Sequence, residues 1–492
     1  MSDTANWQRL SPRMLLVHPV HEVLRQLPVL VGSLVLGSTT GNQAWPLAAL
    51  AVIVGLGVLR WFFTTYRMTE DYLEMRTGML RRRSVSLPRN RIRSVQTDSR
   101  LLHRLLGLTV VRLGTGHESR GEPAFALDAV QASEVPRLRA LLVAEPSVPA
   151  GPLREDRAAG RVLARWHPSW LRYAPLSFSG LLMIAAVVGV AYQAGVGARL
   201  SERVARAGVE AAHRTGIVVV IGVSALGLVA ASVVLAVLWS WLTYGGLVLS
   251  RDPGALHLRH GVLRVREYTF DTSRLRGGSL REPLAVRAMG GARLDAVMTG
   301  VHGEGESSVL LPPCPSATAT SVLKALIDDE AAVAGPLERH GAAAARRRWT
   351  RALAMPLLAG VVLAGLATVH RVYGSVWLVW AAVTVACALL AFDRVRSLGH
   401  RVDGGWLVAR AGSLDRRRDC IACAGIIGWT VRQTFFQRRA GVATLIAATA
   451  AGRKRYQVID VPAALAWAVA ADASPWVADS VWAREVVISR RV

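Results

Sequence analysis

One unit is written three times into this chain: two uncharged apolar segments, each long enough to cross a bilayer, and then an arginine-rich stretch patterned like β-strands. A short signature fixes the soluble part of the repeat. Arg76-Thr77-Gly78-Met79-Leu80 recurs as Arg259-His260-Gly261-Val262-Leu263 and as Arg410-Ala411-Gly412-Ser413-Leu414, all reading Arg-x-Gly-x-Leu. Extending that alignment without a gap brings Arg104 and Gly107 opposite Arg287 and Gly290, and opposite Arg438 and Gly441. Agreement at two separate places in three copies makes Gly78, Gly261, Gly412 and those Arg and Gly pairs the structural markers of the repeat. The glycines belong in turns, where a positive φ costs glycine nothing.

The membrane signal lies in uncharged runs: Gln26–Leu59, Tyr173–Ala198, Thr215–Ser250, Ala352–Val369 and Val372–Phe392. A spanning helix needs roughly 20 apolar residues, so the first run is too long for one crossing. The turn-forming cluster Gly41-Asn42-Gln43 divides it into spans over about 25–40 and 44–63. Six transmembrane helices in three matched pairs result. The chain then divides into 1–63 (N-terminal segment and spans 1–2), 64–150 (module 1), 151–244 (linker and spans 3–4), 245–334 (module 2), 335–393 (linker and spans 5–6) and 394–492 (module 3).

Topology follows from charge. Arg9, Arg13, Glu22 and Arg25 precede the first span with no earlier apolar run, so no cleavable signal is legible and the N-terminus is expected inside. Two crossings per repeat return every module to that side. Arg60, Arg67, Arg165, Arg172, Arg346-Arg347-Arg348, Arg351, Arg394 and Arg396 flank the spans there, whereas only Arg199, Arg203, Arg206, Arg214 and Arg371 fall on the other. A multi-pass protein of the cytoplasmic membrane is expected, with both termini and all modules cytoplasmic.

Within module 1, Tyr66–Met75, Met79–Leu87, Arg91–Thr97 and Leu108–Leu113 are short strand-like runs separated by Gly78, Pro88-Arg89-Asn90 and Gly114-Thr115-Gly116. A helical stretch closes each module: Val135, Leu138, Leu141 and Leu142 share one face, as do Val322, Leu323, Leu326 and Ile327, and 462–477 is similarly alanine-rich but broken by Pro475. Strands followed by one helix predict a β-barrel or meander capped by a helix.

These residues resemble the bacterial pleckstrin-homology-like (PH-like) membrane proteins of the YdbT type, which carry several copies of two spans plus one domain. The resemblance covers nearly the whole chain. It rests on Leu16-Val17-His18-Pro19, echoed by Trp166-His167-Pro168, on Tyr66-Arg67-Met68-Thr69, on Pro88-x-x-Arg91-Ile92-x-Ser94-Val95-Gln96, and on Leu102-x-Arg104-Leu105-Leu106-Gly107-Leu108-x-x-Val111. Copies two and three depart from it, with Gly277-Gly278 and Gly428-Trp429 where Ser94-Val95 stands. The resemblance implies three PH-like barrels, each closed by a C-terminal helix. It also implies a contribution to resistance against membrane-active peptides, in company with a smaller single-domain relative.

Catalytic signatures are missing from the sequence. The two lysines, Lys324 and Lys454, follow Leu323 and Arg453, so there is no Gly-Lys-Ser/Thr phosphate loop, and neither His-Glu-x-x-His nor Gly-x-Ser-x-Gly occurs. Cys420-Ile-Ala-Cys423 lacks the second pair a zinc site needs and reads as buried apolar packing, and His18 and His167 read as interfacial anchors. Glu70-Asp71 and Asp328-Asp329-Glu330 read as solvated turn charges. No enzyme activity, cofactor or metal is expected.

The basic residues are the functional candidates. Arg81, Arg82, Arg83, Arg89 and Arg91 gather around one strand pair and its turn, and Arg416, Arg417 and Arg418 take a matching place in copy three. Guanidinium forks can hold lipid phosphates bidentately, and a net charge of +25 suits an anionic leaflet. Nucleic acid is a poor partner, because aromatic interleaving is absent. A membrane protein whose modules mediate assembly or anionic-lipid contact in envelope homeostasis is the expected function. A small-molecule or peptide transporter is the alternative, and the runs lack the Asp, Glu, Lys, Arg or His that coupled carriers place at mid-depth.

Overall fold

The computed structural model describes residues 8–9, 44–135, 160–176, 184–189 and 216–480, apart from short breaks of which the longest are 78–82, 89–93, 115–125 and 300–308. The chain forms two compact units, Met1–Thr272 and Ser273–Val492, so the division falls inside the second soluble module.

In the first unit, strands β1 (Gln8–Arg9), β2 (Thr65–Met68), β3 (Tyr72–Thr77) and β4 (Arg83–Pro88) form a four-stranded antiparallel sheet in that order. β5 (Ser94–Ser99), β6 (Leu108–Gly114) and β7 (Ala126–Gln131) belong to another sheet. Leu73 and Leu87 from the first meet Val95, Val111, Leu113, Leu127 and Val130 from the second in one buried cluster, so the two sheets pack face to face. The second sheet does not stop at the repeat boundary. β8 (Arg161–Arg165), β9 (Val248–Asp252), β10 (Ala255–His260) and β11 (Val265–Asp271) continue it, in the order β7-β6-β5-β11-β10-β9-β8. The joint is β5 against β11: one repeat's fourth described soluble strand pairs with the next repeat's last strand before its own midpoint.

The second unit repeats this plan. β12 (Leu275–Pro283), β13 (Gly291–Met298) and β14 (Val309–Pro315), from copy two, join β15 (Gly399–Asp403), β16 (Trp406–Ala411) and β17 (Asp415–Ala422), from copy three, in the order β14-β13-β12-β17-β16-β15. β18 (Ile426–Arg432), β19 (Val442–Thr449) and β20 (Arg455–Pro462) form a separate three-stranded sheet. Leu407 and Ile421 of one sheet pack with Leu445, Tyr456 and Val458 of the other. The strand pattern predicted a β-barrel or meander in each module, and the resemblance implied three PH-like barrels. Among the described residues no barrel closes, and the sheets instead run from one repeat into the next.

Alternation explains the outer strands: on β10, Leu256, Leu258 and His260 turn inward. Central β12 is different, because Gly277, Gly278, Ser279 and Leu280 are buried in succession. A Cβ on Gly278 would lie 2.5 Å from Leu323 Cδ1, so the missing side chain lets a helix settle on the sheet.

Helices α1 (Ala44–Phe62), α2 (Leu101–Leu105), α3 (Ile217–Tyr244), α4 (Leu284–Ala288), α5 (Ser316–Ile327), α6 (Gly341–Val369), α7 (Gly374–Ser397), α8 (Phe435–Arg439) and α9 (Ala466–Ala473) are the main described helices. α5 is the predicted closing helix of copy two, with Val322, Leu323, Leu326 and Ile327 all buried. α9 is its counterpart, ending before Pro475. Of the first copy's closing stretch only Val135 is described, and it is buried.

Among the described residues, three helices are long and apolar enough to cross a membrane: α3, α6 and α7. α1 covers the expected second span, while 25–40 and most of Tyr173–Ala198 lie outside the described residues. α6 and α7 form a hairpin. Pro356 interrupts α6, and Trp380 of α7 donates its indole N–H to the Pro356 carbonyl at 2.8 Å. Gly360 leaves the room: a Cβ there would lie 2.7 Å from the Trp380 ring.

Candidate functional site

In copies two and three the Arg-x-Gly-x-Leu signature caps the long apolar helix that precedes it. In copy two, Gly261 (φ +105°) donates its N–H to Gly245 O and Val262 donates to Leu242 O, each at 3.0 Å, so the turn closes onto the C-terminal end of α3. His260 Nδ1 adds a 2.7 Å contact with Thr243 O. In copy three, Arg410 Nε donates to Ser397 O at 2.9 Å and its Nη2 to Arg396 O at 3.3 Å, while Ser397 Oγ donates to Gly412 O at 2.5 Å. The last carbonyls of α7 are thereby satisfied by a cation, as a helix C-terminus favours. Gly412 has φ +103°, and a Cβ there would lie 2.3 Å from Asp415 O. The predicted turns at Gly261 and Gly412 are present, and Gly78 lies outside the described residues.

Arg104, Arg287 and Arg438 each sit in a short helix (α2, α4, α8) that ends in a left-handed glycine, at Gly107, Gly290 and Gly441. The first two reach across to the next repeat. Arg104 Nη1 donates to Val262 O at 3.3 Å, and Arg287 Nη2 to Asp393 of α7 at 2.7 Å. Arg438 is exposed.

The two inter-repeat joints share one register. Ser94 faces Phe270 and Asp98 faces Arg266 in the first. In the second, the repeat-equivalent residues Gly277 and Ile421, then Arg281 and Arg417, face each other. Each joint holds a carboxylate between guanidinium groups. Asp98, 7% exposed at its side chain, accepts from Arg264 Nε at 2.6 Å and from Arg264 Nη2, with Arg112 at 3.8 Å. In the second joint the signs are exchanged: Arg281 stands at the place of Asp98, and Asp415 stands at the place of Arg264. Arg281 donates to Asp415 at 2.7 Å, and Arg417 donates to the same oxygen at 2.9 Å. Burial raises the pKa of Asp415, but the bonds from Arg281 and Arg417 more than offset this and hold it below the usual carboxylate range.

Of the arginines singled out in the sequence, Arg416, Arg417 and Arg418 lie together on β17 and have internal partners. Arg416 donates to Asp393 at 2.7 Å and lies 3.7 Å from Glu282, and Arg418 donates to the carbonyls of Ala332 and Gly335 at 3.2 and 3.1 Å. Arg81, Arg82, Arg89 and Arg91 lie outside the described residues; Arg83 is the first residue of β4. Burial pushes the thiols of Cys314 and Cys420 up to about 12 and that of Cys423 to about 11, which leaves them protonated and unreactive.

A buried polar node in the second unit was not legible in the sequence. Asp460, 1% exposed and at φ +58°, accepts from Arg347 at 2.9 and 3.0 Å, from Arg348 at 2.5 Å and from Gln437 at 2.8 Å. His340, just before α6, contacts Ile459 O at 2.8 Å and His400 Nδ1 at 2.9 Å. Burial first, then His400, push His340 down to about 4, and burial also lowers His400. The arginine run in the first part of α6 had read as flanking charge. Its one available signal was His340, which stands before its span as His18 and His167 do before theirs.

Residues 23–145 and 356–471, each an apolar stretch with the module that follows, match the family model described as Bacterial PH domain. No curated protein and no solved structure matches the chain.

Proposed function

We propose that the protein is a non-enzymatic scaffold of the cytoplasmic membrane, of the YdbT type, in which PH-like modules join edge to edge beneath their membrane helices and serve envelope homeostasis or resistance to membrane-active peptides. The carrying observation is the inter-repeat joint, which occurs twice in one register, each time around a carboxylate and each time beside a membrane-helix end. Matches to the bacterial PH domain in the first and third copies support the reading. The arginines Arg81, Arg82, Arg83, Arg89 and Arg91 would add anionic-lipid contact, at about 1 kcal/mol each near a charged leaflet.

The joint can be tested by exchanging its charges. Arg281→Asp should place like charges together and lower survival of a deletion strain under a membrane-active peptide, and Arg281→Asp combined with Asp415→Arg should restore it. Full survival of the single variant, or no rescue by the double variant when it is inserted at wild-type levels, would remove the scaffold reading.

A further inference from the structure

Strand β18 stands in copy three where β5 and β12 stand in copies one and two, yet among the described residues it pairs on one side alone, with β19. No described strand lies on its outer edge. No residue of β12 is exposed, whereas Ile427 (70%), Thr430 and Arg432 of β18 are. Next to this edge, Phe435 and Phe436 of α8 are each 72% exposed; the repeat counterparts of Phe435, Leu101 and Leu284, are 47% and 37%. A strand edge left open beside uncovered aromatic rings is a template for strand addition.

The charge pattern says which strand fits. At each internal joint the residue at this point of the strand and the residue just after the partner's signature turn are opposite in sign: Asp98 with Arg264, then Arg281 with Asp415. The third copy has Arg432 there, and among the described residues no carboxylate pairs with it. Its neighbouring strand offers none either, because Ile446 stands where Asp295 lies 3.9 Å from Arg281. We propose that the outer edge of β18 docks an antiparallel strand from a different PH-like protein, one that carries an Asp or Glu two residues before the residue facing Arg432. A second copy of this chain fits poorly. In the shared register its β4 would set Arg83 against Arg432 and Arg81 at the place where the carboxylate belongs.

The inference extends the scaffold reading to a partner, but its test is a binding measurement that does not depend on survival. The full chain in neutral-lipid nanodiscs is titrated with labelled peptides. One has the sequence of Ala411–Ala422 with Cys420 replaced by serine and so presents Asp415; a second carries Asp415→Arg; a third has the sequence of Gly78–Asn90. The Asp415 peptide should bind at least tenfold more tightly than the other two. In the Arg432→Asp chain that order should invert, while Arg439→Asp, an exposed change on α8, should leave it intact. Absence of binding, or a preference that Arg432→Asp leaves unchanged, overturns the proposal. So does equal binding of the Gly78–Asn90 peptide, which would make a second copy the occupant.

Discussion

The joint between β5 and β11 and the joint between β12 and β17 are the same object with its ion pair reversed. In one the carboxylate belongs to the upstream repeat (Asp98), in the other to the downstream repeat (Asp415). Backbone register survives this exchange because ladder hydrogen bonds do not depend on side-chain sign. What is kept is a carboxylate at a point where guanidinium groups converge. The joints differ in depth: the side chain of Asp98 is 7% exposed and that of Asp415 is 33%. Equal geometry therefore does not imply equal energy.

Three changes would break or sharpen this comparison. The largest effect is expected at Gly277, whose repeat counterpart is Ser94. Gly277 has φ +137°, and a Cβ there would lie 1.9 Å from Cys420 O, a backbone atom that cannot move aside. Gly277→Ser, which copies the first joint's residue into the second, should cost about 4 kcal/mol from clash and backbone strain. Hydrogen exchange of the β12 and β17 amides should accelerate accordingly, and unchanged protection would mean the joints are interchangeable after all.

Next comes removal of each carboxylate. Asp98→Ala removes a carboxylate that is 7% exposed and doubly bonded to Arg264, and should cost about 3 kcal/mol, against about 1 kcal/mol for Asp415→Ala, which removes a carboxylate that is 33% exposed. Equal loss of amide protection at the two joints would show that depth does not set their strength.

The remaining expected effect separates the units by pH. His340 and His400 are held neutral by burial, so between pH 6.5 and about 4 the unfolded chain takes up protons that the folded second unit refuses. Folded pKa values lie below the unfolded value, and stability is therefore lost as pH falls through that window, by roughly 2 kcal/mol. His167, the counterpart of His340 in the first unit, is exposed. Amide protection in the second unit should fall between pH 6.5 and 4.5 and should be steadied by His340→Gln; a flat profile would count against the buried pair.

Local pattern carried much of this fold. The glycines at 107, 261, 290, 412 and 441 were legible because a left-handed backbone restricts residue choice wherever it occurs. α5 and α9 were legible from their apolar faces. Strand partnership was not, because alternation says which face of β11 is buried and nothing about which strand lies beside it. Copies two and three looked degenerate at Gly277-Gly278 and Gly428-Trp429. Gly277 and Gly278 are instead required by Cys420 O and Leu323, neighbours far away in sequence. The charge reversal was hidden for a similar reason: aligned copies show Asp98 against Arg281 as a mismatch, and only the pairing of strands reveals a conserved complementarity. The β17 arginines read as a surface run, whereas Arg416 and Arg418 find carboxylate and carbonyl partners on other parts of the chain and Arg417 finds Asp415 on its own strand.

Helix α6 is 29 residues long, which at 1.5 Å per residue is about 43 Å, well beyond the ~30 Å of a hydrocarbon layer. Its surplus is the basic first part, and there Arg347 and Arg348 are both fastened to the single buried Asp460. Two bonds from adjacent residues to one fixed point prevent a rod from spinning. In the proposed membrane arrangement, the azimuth of α6, and with it the choice of which side chains meet lipid and which meet α7, is thus dictated from outside the bilayer, as a key's bow fixes the orientation of its blade.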